Sequence, residues 1–277
     1  MITGRIKIAL IGDIVGTPGQ AMFQKHIPPL KASLGIDAII VNGENSANGR
    51  GITSRITRFF LHNGANVITT GNHVWHNQEI YPHLSLFPEL LRPANFPGNN
   101  PGSGVTIFQC KGYPIGVLNI QGRVFMREHL DCPFRAADSA LTYLRSKTKI
   151  ILVDFHAETT SEKMAMGFYL DGRVSALVGT HTHVQTSDQR VLPKGTAYVT
   201  DLGMGGALNS MLGMTKEPII KNFLTQMPQK FSVDNQGPFV LSGVCVEIDS
   251  GTGAAIGIEP IRIVDYDIIV ESEKENR

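Results

Sequence analysis

The sequence predicts an α/β fold, on three observations. Short apolar runs alternate with helix-forming segments over residues 6–70, in the order β-α-β-α-β. The strand-like runs of this part end in turns that pair glycine with a polar residue, as in Gly12-Asp13, Gly43-Glu44 and Gly71-Asn72. The last third of the chain is strand-rich. Alternating strands and helices imply parallel strands joined by right-handed crossovers, and the strand-rich end points to a single two-sheet domain with its helices outside.

Ile6–Ile11 reads as a buried strand from its compact apolar run. Thr17 and Pro18 follow as the N-cap and first residue of a helix, expected to stop before Pro28-Pro29. Ala38–Val41 is the second strand. Thr53 caps a helix on which Ile56, Phe59 and Phe60 recur at helical spacing, and Gly64 closes it. Val67–Thr70 is the third strand. Residues 91–104 hold three prolines and three glycines and read as a long irregular loop. Val105–Cys110 and Ile115–Asn119 form a hairpin across Lys111–Pro114. Phe134–Arg145 has helical spacing, Ile150–Asp154 is another buried strand, Glu162–Leu170 a helix and Val174–Val178 a short strand. Ala197–Thr200 leads into a glycine-rich stretch, 203–206. Phe231–Val233, Phe239–Ile248 and Ala254–Ile263 are the C-terminal strands. Residues 1–270 read as one domain and 271–277 as a charged, frayed tail.

Composition narrows the class. Apolar residues make up 42% and charged residues 18% of the chain, the balance of an ordinary globular protein. A net charge of +1 gives no global attraction to duplex nucleic acid or an anionic membrane. Cys110, Cys132 and Cys245 are far apart and form no C-x-x-C pair, which argues against a disulfide framework or a thiolate metal site. The apolar run at Ile6–Ile11 is too short for a secretory signal and is interrupted by Lys7. No stretch of 18 apolar residues offers a membrane span, and a cytoplasmic protein is expected.

Seven side chains suited to metals stand at predicted strand ends: Asp13, Glu44, Asn45, Asn72, His156, His181 and His183. All are oxygen or nitrogen donors and none is a thiolate. Open α/β sheets place ligands at the carboxyl ends of their strands, so residues scattered along the chain can converge there. His181 and His183 alternate in an extended segment and share a face. Each motif alone is weak, but five at successive strand ends suit two clustered cations, a site common in phosphate-ester hydrolysis. Glu44 suits a carboxylate bridging two cations, and the asparagines add oxygen ligands without negative charge. His73 and Arg123 are left for acid catalysis and phosphate binding. Trp75 and Phe125 are read as packing residues first and base-stacking candidates second. His26, His62, His83 and His129 lie off the motifs.

The ordered set Gly-Asp13, Gly-Glu44-Asn45, Gly-Asn72-His73, His156 and Gly-Thr-His181-Thr-His183 resembles the calcineurin-like metallophosphoesterase superfamily, and within it the YmdB-type bacterial metallophosphoesterases. Arg92-Pro-Ala-Asn95, Val153-Asp-Phe-His-Ala-Glu158 and Leu192-Pro-Lys-Gly-Thr-Ala197 extend the resemblance, which runs from about residue 5 to 263. The superfamily's histidine two places after its first aspartate is Val15 here, its bridging aspartate is Glu44, and a Trp-Asp pair expected of such relatives is Trp75-His76. The resemblance implies a four-layer α-β-β-α sandwich of two mixed sheets flanked by helices. It implies two metal ions per subunit, iron or manganese before zinc. Asp13, Glu44, Asn45 and His183 would hold one metal, and Glu44, Asn72, His156 and His181 the other, with His73 as proton donor. It further implies phosphodiesterase activity on cyclic nucleotides, 2′,3′-cyclic AMP foremost, an indirect link to RNA turnover, and a homo-oligomer, dimer or tetramer.

Two other readings stay open on the residues. One is phosphomonoesterase or protein phosphatase chemistry at the same metals. The other is a regulatory protein that binds nucleotide or RNA with little turnover, against which the proton donor His73 weighs.

Overall fold

The computed structural model describes residues 4–270, so the tail expected at 271–277 lies outside the described residues. The chain runs β1 (Arg5–Ile11), β2 (Asp13–Ile14), α1 (Gly16–Leu34), β3 (Ala38–Asn42), α2 (Ser54–His62), β4 (Val67–Thr69), β5 (Val105–Cys110) and β6 (Tyr113–Gln121). It continues with α3 (Pro133–Arg145), β7 (Ile150–His156), α4 (Thr160–Leu170), β8 (Ala176–Thr180), β9 (Arg190–Val191) and β10 (Ala197–Val199). It ends with β11 (Met204–Ala207), α5 (Lys216–Thr225), β12 (Phe239–Asp249) and β13 (Ala255–Asp265).

The first sheet has the order β2-β11-β12-β1-β3-β4, with β13 along β12. The expected parallel pairs are there: β1 with β3, and β3 with β4. β12 returns antiparallel to β1, which makes the sheet mixed. The second sheet has the order β5-β6-β7-β8-β10-β9, parallel from β6 to β10 and antiparallel at both edges.

Strand periodicity sorts the side chains into layers. In β1, Ile6, Ile8 and Leu10 join Val117, Leu152 and Val178 of the second sheet in one apolar layer, while Ala9 and Ile11 turn towards Phe23 and Ile27 of α1 and Phe60 of α2. On the far side Ile151, Val153 and Phe155 of β7 pack against Leu141 and Leu144 of α3 and Met166 of α4. The result is the α-β-β-α sandwich of two mixed sheets. Each of these fully buried side chains contributes about 1.5–3 kcal/mol of transfer free energy.

Several boundaries differ from expectation. α1 starts two residues early, because the Val15 carbonyl already accepts from the Gly19 N–H at 3.1 Å, and Thr17 is not its cap. The helix also runs through Pro28 and Pro29. Both prolines are exposed, as are Gln24 and Lys25, whose carbonyls lose their helical donors to water-facing positions, while Phe23 and Ile27 hold the buried face. Thr53 and Gly64 do bound α2, the threonine hydroxyl accepting from Ile56 N–H at 3.2 Å and the glycine adopting φ +99°. The hairpin turn is Lys111-Gly112 alone, both with positive φ. Phe231–Val233 is not a strand: Val233 makes one bridge to Met214. The glycine-rich stretch is mostly strand β11, where Gly205 lets α1 approach at Gly19. α5 has no expected counterpart, because it buries none of its residues and so carries no core pattern. Trp75 packs edge-on to Tyr81 and Phe96, as a packing residue.

Asp265, at the end of β13, ties that strand to α1. It accepts from Lys25 at 2.6 Å and lies 2.7 Å from the His26 ring. The Lys25 hydrogen bond holds its carboxyl well below the usual carboxylate range. A depressed folded-state pKa stabilises the fold above the unfolded value near 3.9 and stops doing so as pH falls through the folded one. Asp265→Asn is therefore expected to lower the melting temperature at pH 7, with the gap to wild type closing below about pH 4 in calorimetric scans.

Candidate active site

The inter-sheet layer is apolar until the carboxyl ends of the strands, where it becomes polar. There Asp154 of β7 accepts from the Asn42 amide of β3 at 3.1 Å, from the Thr69 hydroxyl of β4, and from the Thr180 hydroxyl of β8 at 2.7 Å. This buried clasp joins the two sheets. Thr180 has one proton and gives it to Asp154, so its oxygen accepts from His156 Nδ1, 2.9 Å away. The tautomer of His156 is thereby set. Nδ1 carries a proton and Nε2 points outwards, 3.1 Å from Glu44 Oε1, 3.0 Å from Asn72 Oδ1 and 3.0 Å from His181 Nδ1.

The seven residues singled out by sequence come together here. Glu44 is at the centre and fully buried, its Oε1 in contact with His156, Asn45 and His73. Asn45 Nδ2 lies 3.3 Å from Glu44 Oε1 and 3.0 Å from His183 Nε2. Its Oδ1 accepts from His73 Nδ1 at 2.7 Å. Rotation about one bond exchanges the two ends of this amide, so Asn45 can offer either an oxygen or an N–H to the His183 side. His183 Nδ1 donates to the Leu212 carbonyl at 2.9 Å, which leaves Nε2 as its acceptor atom, 3.8 Å from Asp13 Oδ1.

The His-Thr-His loop is held in an uncommon shape. His181 and His183 both have positive φ, +102° and +63°, a region that costs non-glycine residues about 1–3 kcal/mol. Two buried carboxylates hold it there. Asp13 Oδ2 accepts from the His181 N–H at 3.2 Å, and Asp201 Oδ2 from the Thr182 N–H at 3.1 Å. Asp201 is itself paired with the buried Lys163 ammonium at 2.7 Å. Gly71 leaves room for the cluster: a Cβ there would fall 2.2 Å from His156 Cδ2 and 2.3 Å from Glu44 Oε2.

Charge at the site follows from burial and from neighbours. Burial pushes Asp13 up to about 6, against the pull of His183 and His156. Burial would also raise Glu44, but His156 and His73 override it and hold the carboxyl well below its usual range. His156 shows the converse: burial disfavours its charge, yet Glu44, Asp13 and Asp154 lift it to about 9. Burial and the nearby His156 bring His181 down to about 3.

The donor set fits divalent cations. Asp13 Oδ1 is buried with no hydrogen-bond partner among the described residues. Ligand atoms of Glu44, His156 and His181 lie within 4.8 Å of one another. One ring nitrogen, His156 Nε2, faces a carboxylate oxygen, an amide oxygen and a second imidazole nitrogen, a convergence of lone pairs that a cation satisfies better than one proton does.

Above the cluster opens a cavity of about 360 Å³, walled by Glu44, Asn45, His73, His181 and His183. Arg50 and Glu158 complete its polar wall, and Val15, Met214 and Phe231 are among its apolar residues. Arg123 does not line it. The Arg123 side chain is exposed, and its backbone N–H binds the Glu162 carboxylate. Phe125 is 88% exposed on the same turn. Sequence reading passed over Arg50, which stands in no motif, and Glu158, which lies 3.1 Å from His181 Nε2 and sits two residues after His156. It also passed over Lys163 and Asp201, whose pairing crosses from a helix to a loop and leaves no local pattern. His76 is exposed and edge-on to His73, ring centroids 6.1 Å apart.

A four-layer sandwich with this carboxylate, amide and imidazole cluster at the seam defines an enzyme of the metallophosphoesterase type. The model of the YmdB-like protein family matches residues 9–261, and the chain belongs to that family. It is 47% identical over 266 residues to the 2′,3′-cyclic-nucleotide 2′-phosphodiesterase of Bacillus subtilis strain 168, across 96% of this chain and 100% of that one. The crystal structure of a novel phosphatase from Mycoplasma pneumoniae superposes with a TM-score of 0.89 at 34% identity, covering 96% of each chain. That of a hypothetical protein from Thermus thermophilus gives 0.87 at 38% identity, covering 94% of this chain and 100% of that one. Among the described residues no helix is long and apolar enough to cross a membrane.

Two outcomes are expected. Gly71→Ala drives a methyl into His156 and Glu44, with an overpacking cost of about 1–3 kcal/mol. Its metal content by elemental analysis should fall well below wild type while far-ultraviolet dichroism is retained. Lys163→Met leaves Asp201 buried without its cation and should cost about 3–5 kcal/mol in urea unfolding.

Proposed function

We propose that this protein hydrolyses 2′,3′-cyclic nucleotides, 2′,3′-cyclic AMP among them, to 3′-monophosphates at a two-metal centre, with His73 as the proton donor. The observation that carries this reading is the buried Glu44 carboxylate, whose Oε1 lies 3.1 Å from His156 Nε2 and 3.3 Å from the Asn45 amide. Asp13, Glu44, Asn45 and His183 would hold one ion, and Glu44, Asn72, His156 and His181 the other. Iron or manganese suits these oxygen and nitrogen donors. When bound, the ions supply Lewis acidity to the phosphoryl oxygens and acidify a water. The name of the Bacillus subtilis relative supports the substrate class and the bond broken.

The chain's own residues supply the rest. The P–O2′ bond breaks to a strongly basic ribose alkoxide, which needs a proton. With the Asn45 oxygen turned to the ion, its amide N–H faces His73 Nδ1, at the end of the amide 2.7 Å from that nitrogen, so Nδ1 accepts and Nε2 carries the proton that goes to the 2′ oxygen. Its ring stands in the cavity wall beside Glu44 without being one of the proposed ligands. Asn45 orients it, and the backbone N–H of His73 on Glu44 Oε2, at 3.2 Å, fixes its root. Val15 and Met214 give the cavity an apolar side for ribose and base.

Turnover of 2′,3′-cyclic AMP by metal-loaded protein, with a chelated control, tests the activity: the product should be the 3′-monophosphate and chelation should remove it. His73→Ala should lower kcat on this substrate by about 10²–10⁴-fold with metal content unchanged. A p-nitrophenyl phosphodiester, whose leaving group needs little protonation, should lose much less. Equal losses on both substrates would sink the proton-donor role.

A further inference from the structure

Beside the catalytic cavity runs a second groove of about 600 Å³, which shares Arg50, Met214 and Phe231 with it. Arg50 thus stands on the wall common to both. Together they offer more room than the cyclic phosphate and ribose need, and the added part differs chemically from the first. Its walls hold two cations, Arg50 and Lys230, and no carboxylate. Neither cation makes a side-chain hydrogen bond or ion pair with another described residue. The chain as a whole carries only +1, so two unpaired cations in one groove are a local feature. Phe231, shared by the two walls, is 37% exposed, and Asn48 and His76 also line the groove.

Unpaired cations beside an accessible aromatic face match a phosphodiester followed by a base, the pattern by which proteins hold single-stranded nucleic acid. A cyclic mononucleotide has no group to place there. On the function proposed above, we infer that the preferred substrate is the 3′ end of an oligoribonucleotide closed by a 2′,3′-cyclic phosphate, its terminal nucleotide in the catalytic cavity and the preceding one in the groove. The 5′ phosphodiester of the terminal nucleotide would lie on Arg50 and Lys230, and the preceding base on Phe231. The reaction is unchanged. Water adds to phosphorus, the P–O2′ bond breaks, the 2′ oxygen takes a proton, and the strand is left with a 3′-phosphomonoester. Such ends arise when a ribose 2′-hydroxyl attacks its neighbouring phosphodiester, so a transesterifying RNA cleavage is the class of reaction that would supply the substrate.

The test compares kcat/KM for 2′,3′-cyclic AMP and for the adenylyl dinucleotide ending in a 2′,3′-cyclic phosphate, on wild type and on Lys230→Ala. Lys230 is exposed, so the variant folds. The dinucleotide should be favoured several-fold by wild type, through KM, and the variant should lose most of that advantage. The slope of log KM against log salt for the dinucleotide should shrink by about 0.7 in the variant, the share of one single-strand phosphate contact. Turnover of 2′,3′-cyclic AMP should stay within about twofold. Equal kcat/KM on the two substrates, or a preference that Lys230→Ala leaves intact, overturns the inference while hydrolysis of the mononucleotide keeps the proposed function standing. No hydrolysis of either substrate overturns both.

Discussion

The structure turns on one contact between the two sheets, Glu44 against His156 at 3.1 Å. Glu44 follows a strand of the first sheet and His156 ends a strand of the second. Each is fully buried. A carboxylate and an imidazole without solvent on either side must neutralise each other or hold a cation in common. Everything around them serves that requirement. Behind His156, Thr180 and Asp154 set the ring's tautomer and fasten the sheets together. Asn45 and His73 meet the same Glu44 oxygen, at 3.3 Å and 3.4 Å. The apolar layer of Leu10, Ile40, Leu152 and Val178 fixes the distance between the sheets, and with it the distance across the site.

A cluster suited to metal ions needs rigid side chains, and this one obtains rigidity from buried hydrogen bonds to backbone. The His181–His183 loop would relax from its positive φ values if the Asp13 and Asp201 carboxylates did not hold successive N–H groups. Asp13 therefore has two tasks. One oxygen shapes the loop, and the other is buried with no hydrogen-bond partner among the described residues, 3.8 Å from His183 Nε2. The buried Lys163 serves the same end from the helix behind, because Asp201 cannot hold Thr182 without a cation of its own. Such a pair adds little net stability, but it specifies one loop conformation. At Gly71 rigidity comes from the missing side chain, since any Cβ would occupy the space that His156 and Glu44 share.

The cavity above the cluster is lined by two kinds of side chain: the carboxylate, amide and imidazoles of Glu44, Asn45, His73, His181 and His183, and the apolar Val15, Met214 and Phe231. Arg50 lines both this cavity and the groove beside it, and Lys230 lines the groove alone. Arg123 follows a strand end, as the ligand candidates do, but its side chain is exposed and does not line this cavity, and its backbone N–H is tied to Glu162.

The order of strands and helices, the strand-end positions of all seven ligand candidates and the caps of α2 were legible in the chain. They depend on local chemistry: apolar period, glycine at turns, hydroxyl at a cap. The family pattern made the fold's two sheets readable as well. The run of α1 through Pro28-Pro29 was not legible, because a packed face and exposed carbonyls decided it. Nor was α5, which buries nothing. By itself the sequence determined at which strand ends the seven candidate ligands lie. Only the tertiary structure decided which atoms meet. The Glu44–His156 contact, the Asp201–Lys163 pair and the Arg50–Lys230 groove join residues far apart in the chain, and their distances come from how two sheets pack, which no local pattern encodes.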